Sequence, residues 1–100
     1  MPELKMDMNH QLGEQEALRR IKGLLGQVKS EFADQIADLR ENWSGNGGTF
    51  SFRAMGFAVS GTLTVEQSNV QLNGKLPFAA GLFKGKIERI IRERAVQLLA

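Results

Sequence analysis

From Phe50 to Leu76 nearly every second residue is apolar. Phe50, Phe52 and Ala54 are followed by Phe57, Val59, Leu63 and Val65, then by Val70, Leu72 and Leu76, with mostly Ser, Thr, Asn or Gln between them. A period of two places alternate side chains on opposite faces of a strand. The stretch therefore predicts a three-stranded β-meander with one buried and one wet face. Gly56 and Gln67-Ser68-Asn69 mark its turns. Gly61 and Gly74 fall on the apolar parity, where they leave room for a bulky neighbour such as Phe83 or Trp43, or mark a bend in the sheet. Near the other end of the chain, Leu4, Met6 and Met8 alternate with Lys5, Asp7 and Asn9. That predicts a further strand over 3–10, with Pro2 at its entrance.

Between these regions the period changes. Leu18, Ile21, Leu25, Val28, Phe32, Ile36, Leu39 and Trp43 are separated by steps of 3, 4, 3, 4, 4, 3 and 4 residues. The average is close to that of a straight helix on a globular core, so the spacing predicts a helix over 14–43. Gly13 serves as its N-cap, and Glu14 and Glu16 lie in the first turn, where the helix dipole favours acids. Gly23 and Gly26 each weaken the middle by about 1 kcal/mol relative to Ala, and a bend or break is expected near Gly26. Ser44-Gly45-Asn46-Gly47-Gly48 stops the helix and reads as a mobile loop. After Pro77, the residues Phe83, Ile87, Ile90, Ile91, Ala95, Leu98 and Leu99 form the apolar stripe of a final helix over 78–99.

The predicted order is β-α-β-β-β-α: an α+β domain, residues 1–100, with a four-stranded antiparallel sheet and two amphipathic helices on one face. One hundred residues suit a single core. The composition, 42% hydrophobic and 24% charged, is that of an ordinary globular protein. No apolar run reaches the roughly 18 residues of a membrane span. The start of the chain has no apolar signal core, and cysteine is absent. The expected location is the cytoplasm.

Charge is uneven although the net value is only +2. Residues 84–94 carry Lys84, Lys86, Arg89, Arg92 and Arg94 against Glu88 and Glu93, a local balance of +3. Such a helix suits an anionic surface or an acidic partner. Candidate chemistry is sparse. His10 is the only histidine and is expected at the surface. With no second histidine and no cysteine, no zinc set can form from those types. Asp34 with Asp38, and Asp38 with Glu41, would share a helix face as solvated pairs. Ser30, Ser44, Ser51, Ser60 and Ser68 lack a nucleophile-elbow context. The glycine run at 45–48 lacks the Lys-Ser/Thr of a phosphate loop. No enzyme, no cofactor and no metal are expected.

The fragments His10-Gln11-Leu12-Gly13-Glu14, Ala17-Leu18-Arg19-Arg20-Ile21, Trp43-Ser44-Gly45, the Phe50/Phe52 strand, Gly61-Thr62-Leu63-Thr64-Val65, Leu76-Pro77, Leu82-Phe83-Lys84 and Ile87-Glu88 occur in order over most of the chain. In this order and spacing the chain resembles the polyhydroxyalkanoic acid system family of small bacterial proteins. The resemblance implies a cytoplasmic protein tied to storage-polyester metabolism or to the surface of polyhydroxyalkanoate granules. It brings no catalytic residues with it. The expected function is that of a non-enzymatic accessory protein binding the granule surface or a granule protein. Lys84, Lys86, Arg89 and Arg92 would meet an acidic partner, and Phe78, Leu82 and Phe83 an apolar one. The alternative is a small lipid- or ligand-binding module with its pocket between the sheet and the final helix. RNA binding comes third, because basic residues sit at the start of the last helix but no aromatic is set for base stacking. A homodimer, through an exposed edge strand of the meander or through leftover apolar surface of the long first helix, stays open.

Overall fold

Leu4, Met6 and Met8 are buried while the residues between them face water, as the alternation requires. They belong to β1 (Glu3–Asn9), the first element of a computed structural model that describes residues 3–100. Pro2 lies outside the described residues. The chain continues through α1 (Glu14–Ile21), α2 (Leu24–Glu31), β2 (Ile36–Ser44), β3 (Gly47–Ala54), β4 (Phe57–Val65) and β5 (Asn69–Lys75). A 3-10 turn at Phe78–Phe83 then leads into α3 (Lys84–Leu99). The class is α+β, as the alternating pattern implies, but the sheet has five strands rather than four, in the order β1-β5-β4-β3-β2. Every neighbouring pair is antiparallel.

The extra strand replaces the second half of the long predicted helix. α1 and α2 are separated at Lys22–Gly23, three residues before the expected break at Gly26, which lies inside α2. After Phe32 the chain leaves the helical conformation and becomes β2. Ile36 and Ala37 pair with Ala54 and Arg53, and Arg40 pairs with Ser51, so Asp38 and Leu39 together stand opposite Phe52. Two residues against one make a β-bulge. Asp38 takes a positive φ of 56° to form it.

The glycine run is an ordered hairpin turn, not a mobile loop. Gly45 (φ 60°) and Asn46 form a two-residue connection between β2 and β3. Glycine at the first central position suits the turn types whose twist matches paired strands. Asn46 also ties the turn to the end of β4: its carbonyl accepts from the Val65 N–H at 2.8 Å, and its side-chain amide donates to the Val65 carbonyl at 2.9 Å. The β3–β4 turn is equally short, with positive φ at both Met55 (53°) and Gly56 (85°).

The helices cover one face of the sheet. Leu63, Val65, Val70 and Leu72 from the middle strands meet Ala17, Ile21, Leu24, Val28, Ile91 and Ala95 from the helices in one buried cluster. α3 packs against β1, α1 against β4, and α2 against β2, while α3 also contacts α1 and α2. Arg20 fastens the helix layer by donating to the backbone carbonyl oxygens of Leu98 (3.1 Å) and Ala100 (2.8 Å). Free carbonyls at a helix C-terminus are natural acceptors for a cation. Among the described residues, no helix lies over the opposite face of the sheet.

Gly61 and Gly74 do not make room for Phe83 or Trp43. They pair directly across β4 and β5. A Cβ on Gly61 would stand 2.1 Å from the Asn73 carbonyl oxygen and 2.6 Å from the Gly74 Cα. Glycine is there because two backbones approach too closely for a side chain.

Candidate surface on the final helix and the turn before it

The turn before α3 is anchored by Ala80, which is fully buried. Phe83 rests on Phe57 with ring centroids 5.9 Å apart. The other large side chains of the turn project outward: Phe78 is 86% exposed and Leu82 is 93% exposed. The expected helix over 78–99 thus begins as a 3-10 turn and becomes α-helical only at Lys84. Gly81 and Gly85, both poor helix formers, sit at this change of geometry.

α3 then divides into two faces. Ile87, Ile91, Ala95 and Leu99 recur every four residues and pack into the core. Lys86, Arg89 and Arg92 are exposed on the other side, together with Val96 at 54%. Along the helix, Leu82, Lys86, Arg89, Arg92 and Val96 follow one another at three- and four-residue spacing, so they form one outward strip. At 1.5 Å per residue the strip is roughly 20 Å long.

The seven residues singled out from the sequence do not all join it. Lys84 is half-buried and paired with Glu88 at 3.8 Å, and Phe83 is occupied by Phe57. Arg94, which contributes to the basic balance, pairs with Glu31. Among the described residues, Lys86, Arg89 and Arg92 make no ion pair, which leaves them as the charged part of the surface; Phe78 and Leu82 are its apolar part. Val96 joins the strip although charge spacing does not point to it. The sequence signal for it is its position, off the four-residue step of the buried stripe.

Other candidates resolve differently. His10 is not a surface residue; it is 7% exposed. The Leu12 N–H donates to its Nδ1 at 3.1 Å, so Nε2 carries the proton and donates to the Glu66 carbonyl at 3.1 Å. Nδ1 thus braces the β1–α1 connection internally and Nε2 ties it to the β4–β5 turn, so neither nitrogen is available as a base. Asp34, Asp38 and Glu41 lie in a turn, at the bulge and along β2, not on a common helix face. Among the described residues no three acidic or histidine side chains converge to hold a metal ion.

The space between the sheet and α3 is filled by the core cluster. The ligand pocket expected there is therefore absent among the described residues. A concavity of about 450 Å³ lies instead on the bare face of the sheet, lined only by residues of β1, β3, β4 and β5. That face carries no aromatic side chain among the described residues, which removes the stacking platform an RNA-binding sheet uses.

The family model described as "Putative polyhydroxyalkanoic acid system protein" matches residues 4–99, nearly the whole chain. The chain belongs to this family. No curated protein and no solved structure matches it. The match extends from β1 through α3, so both the exposed strip and the bare sheet face lie within the part of the chain that the polyhydroxyalkanoic acid system family defines. Among the described residues no helix is long and apolar enough to cross a membrane.

Proposed function

We propose that this protein is a non-enzymatic accessory component of the polyhydroxyalkanoate system that docks on the granule surface through the outer strip of α3 and the turn before it. The observation that carries this reading is the exposure of Phe78 and Leu82 beside Lys86, Arg89 and Arg92, on a helix whose core contacts are made by other residues. A storage granule is an apolar polyester body with an amphiphilic surface. A helix lying in such an interface needs apolar side chains pointing in and cations at the boundary.

Magnitudes rank the two contributions. Fully burying Phe78 and Leu82 is worth about 1.5–3 kcal/mol each. A base near an anionic surface contributes about 1 kcal/mol, so Lys86, Arg89 and Arg92 together contribute roughly as much as one of the apolar side chains. The apolar pair therefore dominates the attraction, and the bases add to it and orient the helix.

The test is co-sedimentation with native granules, with stripped polymer and with anionic lipid vesicles. The wild-type protein is expected to pellet with granules. The variant Phe78→Ser/Leu82→Ser is expected to stay in the supernatant, and Lys86→Glu/Arg89→Glu/Arg92→Glu to bind weakly and lose the salt dependence of the wild type. Retention of both variants on granules would overturn the reading. Binding to native granules but not to stripped polymer would assign the contact to a granule protein or lipid coat.

A further inference from the structure

The uncovered face of the sheet carries a groove that nothing in the granule-docking surface uses. Its floor is backbone: Leu4, Gly74, Gly61 and Phe50 are in register across β1, β5, β4 and β3, and their side chains, where they have them, point to the core. One wall is the outward row Lys5, Asn73, Thr62 and Thr49. The other wall includes Lys75 and Ser60, paired across β5 and β4. The groove thus crosses four strands, roughly 15 Å between the outer two at the usual strand spacing. Its volume of about 450 Å³ is in the range of small-molecule sites.

The lining is chemically graded. The middle offers neutral groups, the hydroxyls of Thr49, Ser60 and Thr62 and the amide of Asn73, over a floor without side chains at Gly61 and Gly74. The β1 end is charged. Glu3, which also lines this end, is held by Lys5 at 3.5 Å, while Lys75, its cross-strand neighbour, makes no ion pair among the described residues. A fitting ligand is linear, narrow, rich in hydrogen-bond acceptors along an otherwise apolar chain, and negatively charged at one end. We infer that the bare sheet face binds short linear oligomers of hydroxyalkanoic acids, with the free carboxylate at Lys75 and ester carbonyls accepting from Thr62, Asn73 and Ser60. The ligand class rests on the storage-polyester reading above. The groove and its polarity do not.

The experiment is an NMR titration of the full chain with a linear tetramer of 3-hydroxybutyrate and, separately, with its methyl ester. The tetramer is expected to shift the amides of residues 60–62 and 73–75. Lys75→Glu and the methyl ester are each expected to weaken binding at least tenfold, and Thr62→Phe, an outward substitution that fills the groove, to abolish it. Lys86→Glu/Arg89→Glu/Arg92→Glu is expected to leave the titration unchanged. No shift at the groove up to millimolar tetramer, or equal binding of acid, ester and Lys75→Glu, would overturn the inference. Thr62→Phe is expected to sediment with granules like the wild type, which separates the groove from docking; failure of the wild-type chain to bind the oligomer while it still docks on granules overturns the groove alone. Loss of docking with the titration intact overturns the docking surface alone.

Discussion

Two polar side chains show how individual residues are committed to structure rather than to chemistry. His10 uses both ring nitrogens on backbone groups, one two residues away and one in the β4–β5 turn, which explains why a lone histidine at a strand end is buried without being chemical. Glu16 is committed within α1 itself. Arg19 holds it with two hydrogen bonds and Arg20 adds a third at 2.7 Å. The Arg19 bonds first, then those of Arg20, hold the carboxyl at about 2 rather than near 4.5. A carboxyl depressed by folding contributes stability above its unfolded value, and that contribution is lost as the pH falls through the folded one. The relevant window is therefore about pH 4.5 down to about 2. In urea unfolding across this window, Glu16→Gln is expected to show a shallower fall of stability with acid than the wild type. Because the group is partly exposed, the difference should shrink in high salt. Parallel curves at low salt would show that Glu16 is not held this way.

At the scale of elements, most of the fold was legible and one strand was not, and the reason is a single residue. β1, β3, β4 and β5 bury every second side chain, and the apolar pattern is sufficient to place them. β2 is hidden because its bulge inserts one residue. Ile36, Leu39 and Trp43 all turn toward the helix side, since the pair Asp38–Leu39 counts as one position. Steps of three and four residues then imitate a helix extending from α2. The glycine run looks like a helix stop for the same reason, when it is the turn that lets β2 pair with β3. The outer strip of α3 is half-legible: charge spacing finds Lys86, Arg89 and Arg92, but burial decides that Lys84 and Phe83 are occupied. The groove is not legible, since it depends on register between strands. The bulge also makes a testable demand. Asp38 holds φ 56° without being glycine. A β-branched residue is far less tolerant of that region. Asp38→Val is therefore expected to lower stability by about 1–2 kcal/mol, while Asp38→Gly stays within about 0.5 kcal/mol of the wild type or exceeds it. Equal denaturation midpoints for the two variants would mean that the bulge does not need its positive φ.

For the whole molecule, the question is whether granule docking requires the fold to open. An amphipathic helix that inserted its core-facing stripe would carry Ile87, Ile91 and Leu99 from the core to the granule, one apolar surrounding for another, and would leave Leu4 and Met6 of β1 uncovered. Exposing those two side chains at about 1.5–3 kcal/mol each costs about 3–6 kcal/mol, a large part of the stability of a small domain. The outward strip avoids this cost, because Phe78, Leu82 and Val96 are already in solvent. Docking should then leave the sheet sealed. Hydrogen exchange of the amides of β1 and β5 is expected to be as slow on granules as in solution, and exchange in the turn over 78–83 is expected to slow as that turn meets the surface. Faster exchange in β1 and β5 on granules would mean that α3 peels away and that its buried stripe, not its outer strip, makes the contact. The co-sedimentation assay gives an independent check on the same point, since Ile91→Ala should lower stability by about 2–5 kcal/mol yet leave granule binding intact below its unfolding midpoint.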